Sequence, residues 1–254
     1  MRGRNVSATV EKALQLIEAL AGSSGPVGVS QLGRDLQLNK STVYRLVDTL
    51  VRNGYAQQDP LSGRYALTPR LWELGVGVVQ RLGLRQAARP VLEAEAEATG
   101  ESTLLGIVQA REALIIDKAE SPHALRIVSP LGARVSLCHS SIGRALLAFQ
   151  PAGLIAELAA GFAPLTPHGI QTRAALLKDL ERVRRENCAR SVDEWQVGVS
   201  GVASPVRDAS GVVAGAFCIT GPSSRLGPAR LDELARRCVS AATGLSDLLG
   251  RRVA

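Results

Sequence analysis

Aromatic side chains and long apolar runs are scarce in this 254-residue sequence. Aromatic residues make up 3 % of the chain, although hydrophobic residues make up 46 %. Arg or Glu recurs even in the apolar stretch 71–91, so no segment offers the roughly 18 uncharged residues of a membrane helix. The composition therefore excludes a membrane span and predicts cores stabilised by aliphatic burial.

Residues typical of metal, redox and nucleophilic sites are few and scattered. His123, His139 and His168 have no metal-ligand spacing. The four cysteines form no C-x-x-C pair, which predicts buried free thiols rather than a zinc site or disulfides (Cys138, Cys188, Cys218 and Cys238). The chain also lacks a G-x-S-x-G, P-loop or G-x-G-x-x-G motif in the required context. We expect no metal, no cofactor and no catalytic residues.

Cys138 and His139 are neighbours, which invites the hypothesis of a nucleophile and its base. Adjacent residues of a strand point to opposite faces, so the two side chains could not readily pair. The pattern disfavours this chemistry.

The charge of the chain is strongly positive. Its formal net charge is +7, and its isoelectric point near 9.7 suits a polyanionic partner. Residues 1–81 hold ten Lys or Arg against six Asp or Glu, so basicity is denser in this part than in the rest of the chain. The start, MRGRNVSATVEKALQL, has no apolar core before a cleavage site, which predicts a cytoplasmic location.

The first 68 residues show the pattern of three helices and a hairpin. The first helix places apolar residues at three-four spacing, at Val10, Ala13, Leu14, Ile17 and Leu20 or Ala21. Ser30 and Asn39 are the predicted N-caps of the next two helices. The third helix buries Val43, Leu46, Val47 and Leu50, and YAQQDPLSGRYALT predicts a two-stranded wing. This arrangement predicts a winged helix-turn-helix.

The outward residues of this module are suited to a duplex. A recognition helix contacts base edges and phosphates with its earliest residues, while a wing contacts the backbone. The predicted DNA-binding residues are Ser30, Gln31, Asn39, Lys40, Ser41, Thr42, Tyr44, Arg45 and Arg64. The alternative for each is the ordinary solvent-facing surface of a small helical domain.

The rest of the chain predicts a linker helix and an α+β domain. We expect the DNA-binding domain at 1–68, the linker helix at 69–86 and a second domain at 87–254, with Pro90 breaking the helical run. Apolar runs with β-branched residues predict strands, including TLLGIVQ, EALIIDKAE and LRIVSP. Predicted helices cover 142–149, 154–160, 173–186 and 229–249, and two apolar strands flank an R-D-A-S-G turn.

Several segments together resemble the IclR family of bacterial transcription regulators. The N-terminal match is VSQLGRDLQLNKSTVYRLVDTLVRNGYAQQDPLSGRYALTPRLWELG. The C-terminal landmarks follow in order: ARPVLEAEAEATGES, HSSIGRALLAF, DEWQVGVSGVASPVRDASG and ITGPSSRL. The resemblance spans nearly the whole chain. It implies a GAF-like α/β effector-binding domain, in which a curved antiparallel sheet is backed by helices.

The resemblance also implies a ligand pocket and its lining. The residues carried over by motif are Ser141, Ile142, Ser191, Asp193, Trp195, Gly201, Cys218 and Thr220. Cys218 and Thr220 alternate along one strand and so share a face. Gly201 and Ser191 stand where some members have polar or acidic groups, so we expect a larger or more apolar ligand, an aromatic or another carboxylate. Ordinary strand packing is the alternative for each residue.

The expected partners are an operator in double-stranded DNA, a small effector and a second copy of the chain. Two-fold operators favour a homodimer, with a dimer of dimers as the larger assembly. The apolar residues of 69–81 are the predicted dimer contact: Leu71, Trp72, Leu74, Val76, Val78 and Val79. Two other hypotheses stay open: an enzyme acting on a small acid with a regulatory N-terminal module, and a signalling module with a protein partner.

Overall fold

The computed structural model describes residues 7–80 and 83–251, apart from the side chains of 76–80 and 251. The chain divides into two compact units, Met1–Val78 and Val79–Ala254. The first unit contains α1 (Ala8–Ala21), α2 (Val29–Asp35), α3 (Lys40–Arg52), β1 (Ala56–Gln58) and β2 (Tyr65–Leu67). Helix α4 (Arg70–Gln80) follows, at the division between the units.

The core of the first unit forms around α3. The four predicted inward residues of α3 are all buried, as are Leu32 and Tyr65. The prediction for α1 is partly wrong, because Leu16 and Leu20 are buried whereas Val10 and Leu14 are more than half exposed. The sequence of α1 carries two neighbouring apolar stripes, and helical spacing alone does not decide which one faces the core.

Asn39 and Ser30, the two predicted N-caps, have different outcomes. Asn39 caps α3, since its side chain accepts a hydrogen bond from the Thr42 amide at 2.8 Å. Ser30 lies inside α2, whose cap is Gly28 and makes no side-chain bond, so the prediction for Ser30 is wrong. Val27 exchanges two backbone hydrogen bonds with Tyr65, and this bridge fixes the chain so that the helix begins at Val29.

The second unit is built on a six-stranded antiparallel sheet. Its strands are β3 (Ser102–Gln109), β4 (Glu112–Ala119), β5 (Arg134–Ser136), β6 (Ala189–Val192), β7 (Val199–Arg207) and β8 (Val213–Pro222). Their order across the sheet is β5-β4-β3-β8-β7-β6. The helices are α5 (Leu84–Thr99), α6 (Ser141–Leu147), α7 (Ala152–Ala160), α8 (Arg173–Glu186) and α9 (Pro228–Arg251).

Apolar residues fill both faces of this sheet. One core joins Leu105, Phe217 and other strand residues to α5 and α9. The other joins their sequence neighbours Leu104 and Cys218 to α6, α7 and α8. Successive strand residues point to opposite faces, so a sheet covered by helices on both sides has continuously apolar strands.

Pro90 and the LRIVSP segment depart from the predictions. Pro90 lies within α5 and does not break it; the first turn packs Leu84, Ala87 and Ala88 into the core, and this burial outweighs the local cost of proline. The chain turns earlier, at Gly83, where φ is +64°. LRIVSP forms no strand, and its backbone lies in the loop between β4 and β5. No helix in the described ranges is long and apolar enough to cross a membrane.

Candidate nucleic-acid interface and ligand cavity

The outer face of α3 presents polar side chains to solvent. Lys40, Ser41, Tyr44 and Arg45 are exposed, and Thr42 is half-buried beside them. Lys40 is the first residue of the helix. This is the part of a recognition helix that contacts base edges and phosphates.

Asn39 combines a structural bond with free donors. Its Oδ1 accepts hydrogen bonds from the Thr42 amide at 2.8 Å and from Ser41 Oγ at 2.9 Å. The side-chain NH₂ makes no hydrogen bond to the described residues and faces solvent. An amide held in this way can donate to a phosphate or to a base edge.

The cations on this surface differ in their pairing. Within the described part of the chain, Lys40, Arg45 and Arg64 form no ion pair. Arg52, two helical turns beyond Arg45 on α3, pairs with Asp48 at 2.9 Å. Lys40, Arg45 and Arg64 therefore keep their charge available for a polyanion.

Ser30, Gln31 and the wing complete the predicted DNA-binding set. Ser30 and Gln31 are exposed in the first turn of α2, and Arg64 is exposed just before β2. The turn of the wing is closed by Asp59, which accepts hydrogen bonds from Ser62 Oγ and from the Leu61 amide. These bonds lower the pKa of Asp59, so the turn carries a negative charge at neutral pH.

The second unit encloses a cavity of about 130 Å³ on the sheet face that α6 covers. All six strands of this sheet, the start of α6 and two loops supply its wall. The lining residues are Leu104, Ile115, Ile127, Val128, Ser129, Val135, Ser140, Ser141, Ile142, Ser191, Trp195, Gln196, Val199, Ser200, Gly201, Cys218 and Thr220.

Seven of the eight predicted pocket residues line this cavity together: Ser141, Ile142, Ser191, Trp195, Gly201, Cys218 and Thr220. Asp193 is not among the lining residues. Its Oδ1 accepts hydrogen bonds from the Gly198 amide at 2.7 Å and from Ser223 Oγ at 2.5 Å, and these bonds lower its pKa. Asp193 thus fixes the loop whose Trp195 and Gln196 line the cavity.

The cavity lining is polar but uncharged. It contains six Ser or Thr hydroxyls and no acidic, basic or histidine side chain. Burial raises the pKa of Cys218 to about 12, so this thiol is neutral, and it lies 3.7 Å from Ser141 Oγ. A ligand would meet hydroxyls, apolar groups, Trp195 and the carboxamide of Gln196 without meeting a full charge.

Gly201 has a packing reason to be glycine. A Cβ built there would lie 2.9 Å from the Ile219 carbonyl oxygen and 3.2 Å from Thr220 Cβ. The missing side chain allows β7 and β8 to approach closely beside the cavity.

Arg144 is a central residue that the sequence predictions missed. Its side chain is 1 % exposed, and it pairs with Glu194 at 2.6 Å and with Asp179 at 2.9 Å. It also donates to the carbonyls of Cys138 and Arg190. The network joins α6 to the loop carrying Trp195. A lone Arg among apolar residues, in SIGRALLAF, was the signal for a buried ion pair.

A second ion pair, between Arg225 and Glu101, holds another loop of the cavity wall. Arg225 donates to both carboxylate oxygens of buried Glu101, at 2.6 and 2.7 Å, and to the Leu125 carbonyl at 2.8 Å. Ser102 Oγ donates to the Ile127 carbonyl. These bonds hold the loop whose Ile127 lines the cavity, the segment that sequence reasoning predicted as a strand.

Both ring nitrogens of His139 already make hydrogen bonds within the protein. Its Nδ1 bonds Ser136 Oγ at 2.7 Å, its Nε2 bonds the Ala163 carbonyl at 2.8 Å, and its ring stacks on Phe162. Burial raises the pKa of its neighbour Cys138. Both ring nitrogens of His139 bond groups other than Cys138, and the raised pKa of Cys138 disfavours its thiolate, so the pair does not have the arrangement of a nucleophile and its base. The described residues also contain no group of three or more His, Cys, Asp or Glu placed to hold a metal ion.

Comparison with known proteins gives the same two parts. Residues 9–60 match the sequence model of the IclR helix-turn-helix domain, and residues 76–247 match that of the bacterial transcriptional regulator IclR C-terminal region. The chain belongs to the IclR family of bacterial transcriptional regulators. The family assignment confirms the resemblance of the sequence motifs, and a winged helix-turn-helix joined to an α/β domain is the architecture of IclR structures.

Individual relatives cover almost the whole chain. It is 31 % identical to the HTH-type transcriptional regulator XynR of Escherichia coli, over 95 % of this chain and 97 % of that protein. The crystal structure of Thermotoga maritima IclR matches with a TM-score of 0.78 at 26 % identity, over 95 % and 98 % of the two chains. An IclR homologue from Microbacterium hydrocarbonoxydans, complexed with 4-hydroxybenzoate, shares the fold with a TM-score of 0.84 at 24 % identity, over 97 % and 100 %.

Proposed function

We propose that this regulator binds an operator through α3 and the wing, and that a small molecule in the cavity of the second unit controls this binding. The observation that carries the proposal is the contrast between cations on α3 that form no ion pair with the described residues and an uncharged cavity in the other unit. The relatives' names support transcriptional regulation. The direction of control, repression or activation, stays open.

The DNA-binding surface combines positioning and reading. Lys40 and Arg64 bind phosphates and fix the register, while Arg45 pairs with guanine or a phosphate. Ser30, Gln31, Asn39, Ser41, Thr42 and Tyr44 supply the other contacts. Residues 1–68 form the DNA-binding domain in this proposal, 69–86 the linker helix and 87–254 the effector-binding domain.

The effector is a small organic molecule, an aromatic or a carboxylate compound. A cavity of about 130 Å³ is close in volume to the roughly 150 Å³ engineered cavity that holds benzene, so its ligand is about the size of one ring. This volume does not favour the larger ligand expected from the sequence. The 4-hydroxybenzoate bound by the Microbacterium hydrocarbonoxydans homologue is a single-ring aromatic carboxylate.

The working form is a homodimer, or a dimer of dimers, in contact through α4. Trp72 is 71 % exposed and Leu74 is 48 % exposed on this helix, while Leu71 is half-buried. The other predicted contacts, Val76, Val78 and Val79, fall among the side chains outside the described set. A second copy would cover this apolar surface and place two recognition helices on one duplex.

Binding without turnover is the proposed role of the cavity. Its lining offers hydroxyls, a neutral thiol and apolar groups, but no charged side chain to act as an acid or base. The rival hypothesis, an enzyme acting on a small acid, needs such a group near the bound molecule. Incubation with candidate metabolites, followed by mass analysis, should find them unchanged.

The test of DNA binding is a gel shift on DNA from the gene's own upstream region, repeated at several salt concentrations. Affinity should fall steeply with salt, because phosphate contacts release counterions. Replacing both Lys40 and Arg45 by Ala should weaken binding by about 100-fold, at roughly 1–2 kcal/mol for each lost contact.

Arg52→Ala is the matched control on the same helix. Arg52 already pairs with Asp48, so its loss should change affinity much less than the double substitution. Unchanged binding by the Lys40 and Arg45 double variant would contradict the assignment of α3 as the reading helix.

A further inference from the structure

The hydroxyl of Ser140 has no proton left for a ligand. Its Oγ donates to the Ser136 carbonyl at 2.7 Å and accepts from the Gly143 amide at 3.0 Å. Both directions are fixed, because a carbonyl only accepts and an amide N–H only donates. Ser140 can therefore offer the cavity one remaining lone pair and no donor.

A carboxylate outside the cavity fixes the direction of the Ser200 hydroxyl. Ser223 Oγ donates to Asp193 Oδ1 at 2.5 Å, and it lies 2.8 Å from Ser200 Oγ. Hydrogen bonds to Asp193 lower its pKa, so the carboxylate is ionised at neutral pH and only accepts. The single hydroxyl proton of Ser223 is used in its bond to Asp193, so in the contact between Ser200 and Ser223 it is Ser200 that donates. Ser200 thus turns lone pairs toward the cavity.

Two more lining hydroxyls also donate their protons to the protein rather than to the cavity. Thr220 Oγ1 donates to the Ser200 carbonyl at 2.9 Å, and Ser191 Oγ donates to the His139 carbonyl at 3.3 Å. Together with Ser140 and Ser200 they form what we call the acceptor wall. All four residues are at least nine-tenths buried, so water does not compensate a mismatched ligand there.

The rest of the lining holds no cation, although Ser129, Trp195 and Gln196 add uncharged polar groups. Arg144, the buried cation behind α6, is outside the lining and is held by Glu194 and Asp179. Ser141 and the neutral thiol of Cys218 share one contact of 3.7 Å. A buried carboxylate that faces the lone pairs of the acceptor wall, with no cation beside it, would lose hydration that this wall does not replace.

We propose that the effector is a neutral molecule of single-ring size whose hydroxyl groups donate hydrogen bonds to the acceptor wall. This inference rests on the proposed function, which places the effector in the cavity, and it narrows the ligand to hydroxyl donors rather than carboxylates. The wall selects by proton direction: a hydroxyl group satisfies a lone pair, whereas a carbonyl or carboxylate oxygen leaves two acceptors facing each other.

The experiment compares three probes built on one ring with the full chain. Cyclohexane-1,4-diol offers donors, cyclohexane-1,4-dione offers only acceptors, and 4-hydroxycyclohexanecarboxylate adds a negative charge. Binding is measured by the ligand-dependent rise in melting temperature over a concentration series. The diol should bind at least about tenfold more tightly than either of the other two, since each leaves a buried acceptor unpaired.

Two variants separate proton direction from shape. Ser223 lies outside the lining. Its replacement by Ala removes the acceptor of the Ser200 proton, so that this proton can turn into the cavity. The preference for diol over dione should fall about fivefold in this variant. Ser204→Ala is the matched control: Ser204 is a buried residue on β7, the strand of Ser200; its hydroxyl donates to the Asn187 carbonyl and it is absent from the lining. It should leave the preference unchanged.

Equal or tighter binding of the dione or the carboxylate would overturn the proposal. So would the absence of any shift with the diol, or an unchanged preference in Ser223→Ala. Operator binding by the ligand-free protein is measured separately by gel shift. A protein that binds its operator but prefers the carboxylate would contradict this inference alone, and one that ignores the operator would contradict the proposed function.

Discussion

On the outer face of α3, Lys40 and Arg45 have no ion-pair partner in the described part of the chain, whereas four of the six lining hydroxyls of the second unit have already donated their protons to the protein. The first surface stays solvated, and its hydrogen-bond donors remain available for a partner. The second is organised before binding. DNA contacts can therefore adapt to phosphate or base, while the cavity imposes its pattern on the ligand.

The same contrast holds for charge and stability. Charges on α3 and the wing lie in water, where single substitutions alter folding little. Charges of the second unit include Arg144, Glu101 and Asp117, which are buried in paired networks. Binding and stability should therefore be separable in the first unit and coupled in the second.

Removing the Arg144 side chain should have the largest effect on stability. Arg144→Ala leaves Glu194 and Asp179 without their shared cation in a site that is mostly shielded from water. We expect a loss of about 3–5 kcal/mol in the free energy of unfolding, measured by urea titration of the full chain. The cavity wall at Trp195 should also lose its anchor, so binding of the diol should weaken.

Arg111→Ala is the control for this prediction. Arg111 pairs with Glu157, and both side chains are more than half exposed. Its loss should change the free energy of unfolding by less than about 1 kcal/mol. Equal effects of Arg111→Ala and Arg144→Ala would show that the buried network does not organise the second unit.

A smaller effect is expected at the two predicted caps of the first unit. Asn39→Ala removes the acceptor of the Thr42 amide and should destabilise α3 by about 1 kcal/mol. Ser30→Ala removes no cap and should change α2 by less than about 0.5 kcal/mol. Amide hydrogen exchange of the full chain reads both helices in one experiment. A loss at Ser30 as large as at Asn39 would contradict the assignment of Gly28 as the cap.

Local patterns explain how much of the first unit could be predicted. The inner stripe of α3, its cap and its outer face follow from residues within one helix, so periodicity and capping preferences suffice. The errors arise where a non-local contact decides. The bridge from Val27 to Tyr65 sets the start of α2, and packing selects Leu16 over Leu14 in α1. Neither contact has a signal in the neighbouring sequence.

The second unit depends more on contacts between distant residues. Its pocket residues came from the resemblance, and seven of eight line one cavity; Asp193 turned out to act through Ser223 and Gly198. Proton directions in the wall depend on residues up to 52 positions apart, such as Ser191 and His139. Spacing along the chain does not reveal such pairs. The helical conformation at Pro90 is likewise determined by tertiary packing rather than by local propensity.

The smallest effect should come from thiol labelling of the native protein. Burial raises the pKa of all four cysteines, Cys138, Cys188, Cys218 and Cys238. Since the thiolate is the reactive form, iodoacetamide at pH 8 should label almost none of them in the native state and all four in denaturant. Mass analysis counts the adducts. Rapid native labelling of Cys138 would reopen the hypothesis of a nucleophile beside His139, and labelling of Cys218 that a bound diol does not slow would place that thiol outside the cavity.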